Sequence, residues 1–160
     1  MRTTLYPFIL LLLVLSCSEE RQALNRIEGV FETNEFVVTT ANSDSILFSA
    51  SPTFQFAECD LRSNRDGGTC EVTIIDTDGT TYDYRYRLDF AKDVDYIGLR
   101  PQVPLPSNQE TDLTRALTPK LVFELRNNEL KLFTNDVGLG GRDSIQGFRD
   151  YEVSIVANKR

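Results

Sequence analysis

Through most of this chain apolar and polar residues alternate one by one, and the places where the alternation stops mark turns. The clearest run is Thr80–Leu88, where Tyr82, Tyr84, Tyr86 and Leu88 fall on one face and Asp83, Arg85 and Arg87 on the other. Successive side chains of a strand point to opposite faces, so period two predicts a sheet with one buried and one wet side. Asp76-Thr77-Asp78-Gly79 separates this run from Thr69–Asp76, which predicts a hairpin. The same rhythm predicts strands at Gly29–Thr40, Ser45–Ser49, Thr53–Ala57, Val94–Leu99, Lys120–Leu125, Glu129–Thr134 and Tyr151–Ala157. In the last of these Tyr151, Val153 and Ile155 share a face. Turn material lies between them, at Ala41–Asp44, Ala50-Ser51-Pro52 and Asn127-Asn128. Pro101, Pro104 and Pro106 make the next stretch too proline-rich for a central strand. Ser107 and Glu110 have the spacing of a capping box, which predicts a short helix over Asn108–Leu117. Val137–Gly147 reads as a glycine-rich connection. About eight short, hairpin-connected strands and one short helix predict an all-β domain, either an antiparallel up-and-down barrel or a sandwich.

The amino end breaks this pattern. Arg2 is followed by an apolar run from Leu5 to Leu15 with no charge. A bilayer-spanning helix needs ~20 apolar residues, so this run is too short to stay as an anchor. A charged start and a short apolar centre predict an export signal over residues 1–16. The run ends in Val14-Leu15-Ser16-Cys17, which resembles the lipobox of bacterial lipoproteins. The resemblance implies that Cys17 receives a diacylglyceryl group, becomes the first mature residue and anchors the protein through its acyl chains. It also implies sorting: an aspartate directly after the cysteine favours the inner membrane, and Ser18 points instead to the outer membrane. Glu19 and Glu20 resemble the acidic surface-export signal of some lipoproteins, but two glutamates read first as part of a solvated tether over residues 17–26. Residues 27–160 are then a single domain.

Composition narrows the function. Without Arg2 the mature chain holds 16 basic against 24 acidic residues, a net charge of −8. Nucleic-acid binding runs on clustered Lys and Arg, so no nucleic-acid partner is expected. There is no histidine, which excludes Ser-His-Asp and Cys-His catalysis and the common histidine-containing zinc sites. No catalytic motif replaces them, so the expectation is a non-enzyme without metal or cofactor. Asp76–Thr80 begins like a calcium loop, but Arg87 stands where the bidentate glutamate belongs. Gly138-Leu139-Gly140-Gly141 is followed by Arg142-Asp143-Ser144, which lacks the lysine of a phosphate loop.

With Cys17 acylated, Cys59 and Cys70 remain as an even pair in an oxidising compartment, across a loop carrying Asp66-Gly67-Gly68. A disulfide closing about a dozen residues is worth about 3 kcal/mol in the chain-entropy picture. Gly29-Val30-Phe31, Phe54-Gln55-Phe56-Ala57-Glu58-Cys59, the second cysteine, and Asp78-Gly79 before Tyr82-Asp83-Tyr84-Arg85-Tyr86 resemble the small lipocalin-like lipoproteins of Gram-negative bacteria. The likeness covers Ile27 to Leu88 and implies a closed up-and-down barrel with an apolar interior. Tyr82, Tyr84 and Tyr86, with Phe54 and Phe56, are the candidate ligand residues. Broad rings with polar tips suit a ligand cavity, a packed core or an outer coat. The expected partner is accordingly a small apolar ligand, or another protein of the cell envelope.

Overall fold

The alternating run at Tyr82–Leu88 is a strand, Thr81–Phe90 (β5), with Tyr82, Tyr84, Tyr86 and Leu88 buried and Thr81, Asp83, Arg87 and Asp89 exposed. The computed structural model describes residues 22–42, 45–59, 69–90, 94–106, 110–134 and 144–160. Before β5 come β1 (Gly29–Thr40), β2 (Ile46–Ser49), β3 (Thr53–Phe56) and β4 (Cys70–Ile75). After it come β6 (Asp95–Pro101), β7 (Leu121–Arg126), β8 (Glu129–Phe133) and β9 (Tyr151–Lys159). Each strand pairs antiparallel with its neighbour in the order β2-β1-β3-β4-β5-β6-β7-β8-β9, and β9 pairs back onto β1. The sheet is a closed up-and-down barrel rather than a sandwich.

Nine strands fill eight places around the barrel because β2 and β3 share one edge of β1. β2 pairs with Val37–Thr39 and β3 with Gly29–Glu32. Ala50-Ser51-Pro52 interrupts what would otherwise be one returning strand, and Pro52 has no N–H to give to a ladder. The Ala50 N–H still donates to the Phe36 carbonyl at 3.1 Å, so the break is local. β1 carries a register shift between Thr33 and Glu35. An extra residue there bends the strand and increases its twist, as closing a small barrel requires.

The turns follow their side chains. Asn127 and Asn128 both have positive φ, 48° and 68°, the two-residue turn whose twist matches a hairpin. At the β4–β5 turn the Gly79 N–H donates to the Asp76 carbonyl at 3.0 Å, and Gly79 takes φ 85°. Asp76 accepts from the Thr77 N–H at 2.7 Å and Asp78 from the Thr80 N–H at 2.8 Å. The carboxylates of this stretch thus brace a turn.

Among the described residues two short helices are present where one is expected. Residues 22–27 (α1) lie over the barrel end that holds Gly29, Cys70 and Lys159, with Leu24 and Ile27 buried three positions apart on one face. The Arg26 guanidinium donates to the Leu125 carbonyl at 2.7 Å, and Lys159 Nζ donates to the Arg26 carbonyl at 3.1 Å. Asp112–Ala116 (α2) covers the opposite end, burying Leu113, Thr114 and Ala116. Its N-terminus is set by a capping box of Thr111 and Thr114. Thr111 Oγ1 accepts from the Thr114 N–H at 3.3 Å, and Thr114 Oγ1 accepts from the Thr111 N–H at 2.9 Å. Ser107 lies outside the described residues.

Pro101 belongs to β6 despite the proline-rich stretch it opens. It is the strand's last residue, and β7 pairs only with Tyr96 and Ile97, so no ladder partner needs the missing N–H.

Candidate functional site: the barrel interior and the groove at its α2 end

All five aromatic residues singled out from the sequence are brought together inside the barrel. Phe54 lies opposite Ile74 and Phe56 opposite Val72, and these pair on with Tyr82 and Tyr84, so the rings of three adjacent strands share one inner face. Phe56 meets Tyr86 edge-on at 5.1 Å and Phe31 edge-on at 5.7 Å, and stacks on Phe54 at 6.3 Å. Such offset and edge contacts suit the ring quadrupoles. Phe54 and Tyr86 have no exposed surface, and Tyr84 is 2 % exposed. These rings therefore make their contacts with one another and with the surrounding core side chains. Leu24 and Ile27 from α1 and Leu113, Ala116 and Leu117 from around α2 complete the same core.

Burial sets the chemistry of the phenols. Desolvation pushes Tyr84 and Tyr86 far above the ordinary tyrosine range, with smaller contributions from neighbouring Tyr82 and Glu28 respectively. The Tyr86 hydroxyl has no hydrogen-bond partner among the described residues. Tyr151, at the α2 end, donates its hydroxyl to the Arg115 carbonyl at 3.1 Å.

A concave surface adjoins this core. At the α2 end a groove of about 450 Å³ is lined by Tyr82 with Asp78, Thr80, Thr81 and Asp83, and across from them by Gln102, Val103, Leu105 and Thr111. Tyr82 is thus the candidate aromatic that lines this groove. The β4–β5 turn supplies one wall, the proline-rich stretch after β6 the other, and the start of α2 closes the side. The Gln102 N–H donates to the Asp83 carbonyl at 2.9 Å and fixes the two walls together. Among the described residues two carboxylates line the groove and no basic side chain does. Thr80 holds the Asp78 carboxyl below its ordinary range through backbone and side-chain hydrogen bonds, so this carboxylate stays ionised. Asp83 accepts from Thr73 Oγ1 at 3.1 Å. The groove therefore offers an aromatic ring, two aliphatic side chains, hydroxyls and negative charge. Val103 and Leu105 are missed from sequence because they sit between prolines; their spacing two apart is the signal that could have found them.

The pair Cys59 and Cys70 sits at disulfide distance, with Cα atoms 5.5 Å apart. Such a bond ties the end of β3 to the start of β4 at the α1 end. Cys17, the loop Asp66-Gly67-Gly68 and Gly138–Gly141 lie outside the described residues. No family model, no curated protein and no solved structure matches this chain.

Proposed function

We propose that this protein is a lipid-anchored envelope protein of the lipocalin-like kind, whose barrel is a solid scaffold and whose ligand site is the groove at the α2 end. The groove itself carries this reading: its volume falls in the range of about 300–1,000 Å³ typical of small-molecule sites, and Tyr82 forms part of its wall. Anchoring rests on Val14-Leu15-Ser16-Cys17, and the closed eight-place barrel supports the lipocalin-like reading. The lining favours an uncharged or cationic amphipathic molecule, with an apolar face for Tyr82, Val103 and Leu105 and hydroxyl or amine groups for Asp78 and Asp83. An anionic ligand would meet two carboxylates and, among the described lining residues, no counter-charge.

A second reading has its own support. The filled interior and the exposed Ile46, Val103 and Phe148 suit an accessory subunit whose barrel only presents a surface. Titrating a set of small amphipathic amines and polyols while recording backbone amide shifts separates the two. Groove binding moves Thr80–Asp83 and Gln102–Leu105, and Val103→Asp abolishes the response without unfolding, because Val103 is 72 % exposed. Shifts centred on Phe54 and Tyr86 would mean an interior site, and silence across the set would leave the accessory reading. Anchoring is tested by Cys17→Ala, which releases the protein from membranes or leaves it unprocessed; a processed variant that still partitions with membranes refutes it.

A further inference from the structure

We propose that the anchored barrel stands with its α1 end against the lipid surface and its groove turned to the water, an orientation that rests on the lipidation of Cys17 proposed above. The argument is one of reach. Gln22, the first described residue of α1, is five residues past Cys17. Whatever conformation the chain adopts between them, at ~3.3–3.6 Å per residue it spans at most about 18 Å. The end of that leash is not free. Leu24 and Ile27 are buried in the barrel core, and both Arg26–Leu125 and Lys159–Arg26 hydrogen bonds tie α1 to the strands. A lipidated Cys17 sits at the headgroup layer, so the α1 end cannot move further from that layer than the leash allows.

The other end has no such restraint. β5 has 10 residues, and at ~3.3 Å each along a strand tilted ~40° it rises about 25 Å from one end to the other. A folded body excluded from the bilayer and held by a short leash at one end places its opposite end further out on average. The groove lies at that far end, between the β4–β5 turn and α2. Its ligand therefore arrives through the aqueous phase rather than out of the bilayer, which agrees with a lining that mixes carboxylates and hydroxyls with its apolar side chains.

The test uses the full lipidated protein in phosphatidylcholine vesicles containing a headgroup-nitroxide lipid. One fluorophore is placed at Asn158→Cys, exposed in β9 at the α1 end, or at Thr77→Cys, exposed in the β4–β5 turn. Quenching is expected to be several-fold stronger at residue 158 than at residue 77. A flexible Gly-Ser insertion of fifteen residues between Glu20 and Arg21 adds roughly 20 Å of root-mean-square reach and should shrink the difference. Equal quenching at both positions in the parent, with the protein floating with the vesicles, overturns the orientation while leaving the anchor intact. Failure to float overturns the anchor and the orientation with it.

Discussion

Truncating Phe54 to alanine tests whether the barrel is solid. The side chain is fully buried, stacks on Phe56 at 6.3 Å, and sits on the strand between β1 and β4, opposite Phe31 and Ile74. Its neighbours are fixed by edge contacts of their own, Phe56 to Phe31 and to Tyr86, so they have little freedom to fill the space. Phe→Ala in a packed core costs about 3–5 kcal/mol, the lost transfer energy plus the cavity left behind. Restrained neighbours place this site in the upper half of that range. Against a domain stability of about 5–15 kcal/mol this is a large fraction. It corresponds to a fall in Tm of roughly 10–20 °C for a domain of this size. Urea denaturation followed by tyrosine fluorescence and far-ultraviolet circular dichroism measures it, since the protein contains no tryptophan. The midpoint should fall with the slope unchanged. A loss below about 1.5 kcal/mol, accompanied by binding of an apolar fluorophore to the parent protein, would refute the packed interior.

Three further outcomes follow from single features. Tyr86→Phe removes a buried hydroxyl that has no partner among the described residues, so stability should rise, by up to about 1–2 kcal/mol after a small cavity cost; a clear loss in urea denaturation would mean that the hydroxyl is satisfied. Burial raises the Tyr84 and Tyr86 phenols, so they stay protonated in the fold while the unfolded chain ionises near pH ~10. Their contribution is complete below that pH and is lost as pH climbs past it, so part of the tyrosinate absorbance should appear only together with loss of circular dichroism. If all of it appears before any unfolding, the phenols are not buried. Gly79→Ala meets no atom within 4 Å but must hold φ 85°, so it should cost about 1–2 kcal/mol from backbone strain alone, read as a shift in Tm; no shift would mean the turn has another conformation.

What was legible in the sequence was what is local. Alternation along Thr80–Leu88 and Tyr151–Ala157 is written residue by residue, so the strands and their inner faces were foreseeable. The hairpin turns were too, since Asp78-Gly79 and Asn127-Asn128 carry their own conformational preferences. The start of α2 was not, because Ser107/Glu110 and Thr111/Thr114 have the same spacing and only one pair can begin the helix. α1 reads in the sequence only as part of a polar tether, because Leu24 and Ile27 reveal their face only when a barrel end is there to cover. The groove stayed hidden for a similar reason. Its walls come from the β4–β5 turn and from the proline-rich stretch, which meet through a hydrogen bond between Gln102 and Asp83 across nearly twenty positions of chain. Nor does a run of alternating aromatics say whether a barrel is hollow; that depends on how rings from Phe31, Phe54, Phe56 and Tyr86 interlock across strands.

The pairing of β1 with β9 sets the timing of folding. Phe31 lies opposite Lys159, so the first strand finds one of its two neighbours only in the last residues of the chain. Contacts this distant in sequence are slow to form, because the entropy of closing the loop is lost before any contact repays it. Until β9 arrives, β1 and β8 each present an open edge, and the barrel has no closed core for α1 to cover. A nascent chain cannot complete this fold until β9 has been made. On the export proposed above, that delay is an advantage: the seam that closes the barrel also holds off folding until β9 has crossed the membrane.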